Sequence, residues 1–271
     1  MSYAKTPHFV RFCGAILLLV GVPGLLCSQS ATYFAAEDEA FFGPYQDGWQ
    51  TGDQGGSGFG PWKLVAPTYS QGEDRYAGFF LAEANKEADL SEAARQSKAF
   101  GIFANGIGFE ETVAFRSIDE PLGEDDTFSF YLEFDGFGSK FDSDSPELSS
   151  VGLALREGSR AEGIEDMGRG RIWAIAAVEG LSTYQVLDAD LRFNTRIFID
   201  PQGIKVSVIL GAQGTYDLRI ETLGNGRVHE FPKRKFFPVK NPIQSFALFN
   251  RNGGVNNLYA GGFQIARPAI F

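Results

Sequence analysis

Apolar and polar residues alternate along much of this chain. The run TFSFYLEF sets Phe128, Phe130, Leu132 and Phe134 against Thr127, Ser129, Tyr131 and Glu133. Successive strand side chains point to opposite faces, so this run reads as a strand with one face in a core. SVGLALR alternates Val151, Leu153 and Leu155 with small residues. RIWAIAAV places Ile172, Ala174, Ala176 and Val178 on one face and Arg171, Trp173 and Ile175 on the other. YDLRIET sets Tyr216, Leu218 and Ile220 against Asp217, Arg219 and Glu221, and GFQIA adds Phe263 and Ile265 near the end. Turn-forming clusters separate such runs: DPQG at 200–203, GAQG at 211–214, GNG at 224–226 and NRNGG at 250–254. Many short strands joined by glycine-rich turns predict an all-β sandwich or jelly roll of roughly 12 to 14 strands. Two stretches depart from the alternation. AEANKEADLSEAARQSK, residues 82–98, is rich in helix formers and reads as a loop with a helical turn or two. Residues 32–42 are acidic and aromatic, and read as a loose arm or a first strand.

The N-terminal thirty residues read as an export signal. Lys5 and Arg11 precede the apolar run FCGAILLLVGVPGLLC, and small residues follow at Ser28 and Ser30. The run is short and holds a proline, which disfavours a spanning helix. Cleavage after Ser30 would leave residues 31–271 as one β-sandwich domain, secreted or periplasmic. Cys13, Cys27 and His8 would leave with the signal, so the remaining chain would have no cysteine and only His229. This excludes thiol catalysis, disulfides and multi-histidine metal sites. The net charge is −10, and −12 without Lys5 and Arg11, which argues against nucleic acid as a partner.

The densest motif is DGWQTGDQGGSGFGPWKLV at 47–65, with six glycines, Trp49 and Trp62. No Gly-Lys-Ser/Thr follows, so it is not a phosphate loop, and Pro61 with a β-like run follows where a dinucleotide fold needs a helix. Glycine permits positive φ and close backbone approach. The motif therefore reads as a tight crossing between two sheets with both tryptophans packed beside it, or with one serving as a sugar platform.

The order of motifs adds a resemblance. DGWQTGDQGGSGFGPWKL is followed by SKAFGIFAN, FSFYLEFDGFGSK, SSVGLALRE, GLSTYQVLDAD and FALFNRNGGVNNLYAGGFQI. Together these resemble a group of secreted bacterial β-sandwich domains similar to concanavalin A-like lectin and glucanase sandwiches. The resemblance spans most of residues 31–271. It implies a jelly-roll sandwich of two antiparallel sheets and an extracellular setting, with no assigned chemistry. Residues 82–98 depart from the group, being rich in Ala and Glu where its members favour Asn and Gly.

Candidate chemistry is sparse. EFDGF offers Glu133 and Asp135 in the first two positions of the glucanase pattern E-x-D-x-(x)-E, but residues 137–139 are Phe, Gly and Ser, so the partner acid is missing. Glu133 and Asp135 then read as acids on the exposed face of an amphipathic strand. His229 has no nucleophile elbow to serve, and Lys233, Arg234 and Lys235 read as a solvated turn. Asp142 and Asp144 in DSDSPE supply hard oxygen ligands of the kind calcium takes. For glycan binding, Tyr131 and Glu133 share one strand face and Arg171 and Trp173 another; if both lay on one concave sheet they would form a groove. The reading is a secreted binding module without catalysis, its partner a glycan. The alternatives are a glycan hydrolase or lyase on the same fold, and a structural matrix protein that meets other extracellular proteins.

Overall fold

A computed structural model describes residues 32–66, 77–84, 90, 98–105, 110–134, 136–137, 149–160 and 170–269. Fifteen strands run through them in chain order: β1 (Thr32–Asp38), β2 (Phe59–Val65), β3 (Ala77–Glu83), β4 (Lys98–Ala104), β5 (Glu111–Ile118), β6 (Thr127–Phe134), β7 (Ser150–Glu157) and β8 (Arg171–Val178), then β9 (Thr183–Leu187), β10 (Phe193–Phe198), β11 (Ile204–Leu210), β12 (Thr215–Thr222), β13 (Arg227–Lys235), β14 (Ile243–Arg251) and β15 (Leu258–Pro268). The first sheet has the order β13-β12-β11-β6-β15-β4-β3, with β1 added beside β15; the second has the order β10-β9-β8-β7-β14-β5-β2. Every strand pairing within them is antiparallel. Residues 32–38 are thus a strand, and Ala82, Glu83 and Lys98 end β3 and begin β4. The rest of the expected helical turn, apart from Ala84 and the buried Leu90, lies outside the described residues.

The alternation places the core between the sheets. Phe128, Phe130, Leu132 and Phe134 of β6 are all but inaccessible and face Leu153, Leu155, Phe246 and Leu248 of the opposite sheet in one cluster. Burying each such side chain contributes roughly 1.5–3 kcal/mol. One strand breaks the rule read from its sequence. In the β7–β8 ladder Leu155 is opposite Trp173 but Arg156 is opposite Arg171, so Ile172 is an extra residue. A bulge of this kind flips the faces on either side of it. Ile172, Trp173, Ile175 and Ala177 therefore all enter the core, while Ala174 and Ala176 join a second cluster on the outer face.

The glycine motif is a crossing between sheets, as its composition implies. Ser57 bridges Glu37 of β1 with backbone hydrogen bonds in both directions. Gly56 has φ +69, and a Cβ there would stand 1.8 Å from the Glu37 carbonyl oxygen; at Gly58, φ +73, the Ala35 oxygen would be 2.4 Å away. Only glycine fits backbone this close.

Candidate functional site

The structure separates the two faces proposed for a groove. Tyr131 and Glu133 lie on β6 in the first sheet; Arg171 and Trp173 lie on β8 in the second. Arg171 and Trp173 do not even share a face, because of the bulge at Ile172. Trp173 is fully buried and meets Tyr216 edge-on at 6.3 Å. Glu133 is fully buried rather than exposed, opposite Tyr259 in the ladder. Tyr131 is half-buried against the small cluster of Ala82, Leu90, Ala99 and Tyr259, with the Lys205 ammonium 5.3 Å from its ring centre. Asp135, Asp142 and Asp144 lie outside the described residues. Among the described residues no three His, Cys, Asp or Glu side chains converge as metal ligands.

Trp49 and Trp62 are core residues. Trp62 is 1% exposed, and its indole N–H donates to Tyr45 Oη at 3.0 Å and Asp38 Oδ2 at 3.3 Å. Trp49 packs edge-on against Trp62 at 5.0 Å and Phe79 at 5.5 Å. Trp62 offers no open ring face, and Trp49, 5% exposed, shows only an edge of its ring system at a recess it lines with Leu64 and Phe79.

These tryptophans belong to the first of two buried polar knots. Arg116 points inward from β5 and is fully buried. It contacts the Asp38 carboxylate at the end of β1. Its Nε donates to Gly60 O at 2.8 Å and a terminal nitrogen to Gly55 O at 2.9 Å, and the guanidinium lies 4.9 Å from the Trp62 ring centre. Tyr45 Oη donates to Asp38 Oδ2 at 2.5 Å. Burial pulls the Arg116 pKa down, to about 9, with Asp119 opposing, so the group stays charged at neutral pH. Burial likewise raises Tyr45 well above the usual phenol range, keeping the hydroxyl protonated and donating.

The second knot repeats the same three residue types toward the opposite edge. Arg234 of β13 grips Asp188, just after β9, through Nε at 2.7 Å and a terminal nitrogen at 3.0 Å. That nitrogen also donates to Asp190 at 3.0 Å, and Tyr216 of β12 donates to Asp188 Oδ2 at 2.5 Å. Burial, then the Asp188 contact, raises the Tyr216 pKa. Burial works against the charge on Arg234, but its bonds to Asp188 and Tyr216 outweigh that and raise its pKa. Both knots are sheet-to-sheet ties whose carboxylates are consumed by their arginines. The basic run at 233–235 is correspondingly part of an edge strand, not a solvated turn.

The second knot shapes the candidate site. It holds β13 against β10, the edge strands of the two sheets, and Phe231 meets Phe193 edge-on at 5.2 Å. The Arg234 guanidinium lies 4.0 Å from the Phe193 ring centre. Here β10 carries a register irregularity between Asn194 and Phe198, and Arg196 has φ +61. Asn194 Oδ1 sustains it by accepting from the Arg196 backbone N–H at 2.7 Å and from Thr183 Oγ1 at 2.9 Å. With its oxygen used twice, the Asn194 amide has its Nδ2 left to donate. Phe193, Asn194, Thr195, Arg196 and Phe231 line a recess of about 590 Å³. Thr195 is buried and spent on Tyr184 O at 2.7 Å; Asn194 and Arg196 are exposed and, among the described residues, have no acidic partner. Two half-buried aromatic rings beside a free amide and a guanidinium can pack on an apolar ring face and donate to oxygens at its rim. Sequence reasoning missed this site, because an edge recess forms from strands whose adjacency no local pattern records.

Two facing antiparallel sheets make the described residues an all-β sandwich. No protein-family model matches it, and no curated protein sequence does. Similar solved structures include a legume lectin-like domain from Entamoeba histolytica, 12% identical over 69% of this chain and 88% of that one, with a TM-score of 0.42. A conserved carbohydrate esterase from the Shiga toxin-encoding bacteriophage phi24B is 9% identical over 77% and 90%, with a TM-score of 0.44. The exoplasmic domain of VIP36, in a form bound to calcium and Man3GlcNAc, is 7% identical over 78% and 86%, with a TM-score of 0.41.

Proposed function

We propose that the chain is an exported, non-catalytic β-sandwich module that binds carbohydrate in the recess between β10 and β13. The observation that carries this reading is the lining itself, Phe193 and Phe231 with the free donors of Asn194 and Arg196. A pyranose has an apolar C–H face and a rim of hydroxyls, and this set of groups suits both. Export rests on the N-terminal residues 1–30 and their signal-like pattern. Calcium at Asp142 and Asp144 rests on ligand type alone. The test is a glycan array probed with the purified protein and with Phe231→Ala and Asn194→Ala. Saturable binding that falls at least about tenfold in both variants is expected, because each removes one of the two kinds of contact. A blank array, or hits that both variants retain, would sink the reading.

A further inference from the structure

We infer that the recess takes an acidic polysaccharide, a chain of carboxylated or sulfated sugars, and that the cations around it read its charge. The inference rests on the glycan-binding reading and names the class of glycan. The charge of this chain is unevenly spread. Residues 191–240 hold nine Lys and Arg against four Asp and Glu, while the whole chain carries −10. Those fifty residues build β10, the edge of one sheet, and β11 to β13, the edge of the other, so the folded sheets gather this basic excess at one pair of edges.

Asp188 and Asp190 bind Arg234; Asp200 and Asp217 accept the backbone N–H groups of Gln202 at 2.8 Å and Lys233 at 2.7 Å; Glu221 and Glu230 stand opposite Lys205 and Arg219 in the ladders. Apart from Arg234, the cations on the strands that border the recess are unpaired among the described residues. Arg192 and Arg196 flank Phe193, and Lys233 and Lys235 follow Phe231; all four are exposed and, among the described residues, have no ion-pair partner. Guanidinium and ammonium groups of this kind recognise carboxylates and sulfates, and do so best beside the aromatic faces that seat the sugar ring.

The edge itself argues against a peptide strand as the occupant. Pro232 of β13 has no N–H to give a ladder, Lys233 has φ +56, and the β12–β13 register shifts between Tyr216 and Leu218. A flat strand cannot add along an edge broken in this way.

The experiment is calorimetric titration of the purified full-chain product with polygalacturonate, dextran sulfate and neutral dextran, for the native protein and for a triple Arg196→Glu, Lys233→Glu, Lys235→Glu variant. The three side chains are exposed, so an unchanged melting temperature confirms that the variant folds. We expect an acidic polymer to bind, about tenfold or more weakened in the variant and weakened again by raising the salt, as screening requires. Binding of neutral glycans alone would overturn the acidic preference and leave the glycan reading standing. No glycan of either kind would remove both. Acidic-polymer binding that the variant keeps would overturn the inference, as would a native dimer that the same reversals dissolve while no acidic polymer binds, since the basic edges would then dock on acids of a second copy.

Discussion

Single residues here are constrained by what lies within a few ångströms of them. Gly56 has the Glu37 carbonyl where a Cβ would go, together with a positive φ. Gly56→Ala should therefore leave little folded protein, whereas Gly48→Ala, with open space around it but φ +115, should cost only about 1–2 kcal/mol of backbone strain. Circular dichroism of the two variants checks the contrast. Asp38 is the more informative position. Asp38→Asn keeps the shape but leaves the buried Arg116 charge without its counter-ion, and breaking a buried pair costs about 3–5 kcal/mol. Urea unfolding should show that loss at an unchanged slope; a change under about 1 kcal/mol would mean that the guanidinium is held by the Gly55 and Gly60 carbonyls instead.

At the scale of elements, alternation was legible and irregularity was not. The inward residues of β6, β7 and β12 can be read directly from a period of two. The bulge at Ile172 could not, because two consecutive apolar residues look the same whether or not one is extra, and it puts Ile172 in the core beside Trp173 and takes Arg171 off the Trp173 face. The same blindness hid the recess, which depends on the irregular course of β10 and on a knot between residues 46 positions apart. Local chemistry at the end of β7 makes a testable case of its own. Glu157 Oε2 accepts the backbone N–H groups of Lys240 at 2.9 Å and Asn241 at 3.0 Å, and these bonds hold its pKa below the usual carboxylate value. A depressed folded pKa contributes stability that is present above the unfolded value, near 4.5, and lost as pH falls through the folded one. Glu157→Gln should accordingly be less stable than the native protein at neutral pH, with the gap narrowing as pH falls below 4.5 and through the folded pKa, measured as urea midpoints across that range.

At the scale of the molecule, the class of fold followed from strand rhythm and turn chemistry, while the site did not, since nothing in Phe193 or Phe231 distinguishes them from the many other phenylalanines. If Asp142 and Asp144 hold calcium, the melting temperature should rise by several degrees in excess calcium over EDTA, because a ligand that binds only the native state stabilises it. Equal melting temperatures would remove the metal from the account.

The two Arg–Asp–Tyr knots have a further consequence, for how the chain reaches and leaves this state. Arg116 meets Asp38 across 78 positions and Arg234 meets Asp188 across 46, so neither tie can form until distant strands have been brought together. Contacts of such sequence separation slow folding. If they close only after the rate-limiting step, they slow the reverse passage without hastening the forward one. A protein built this way would be long-lived once assembled, resisting proteases by the rarity of its opening rather than by the depth of its equilibrium.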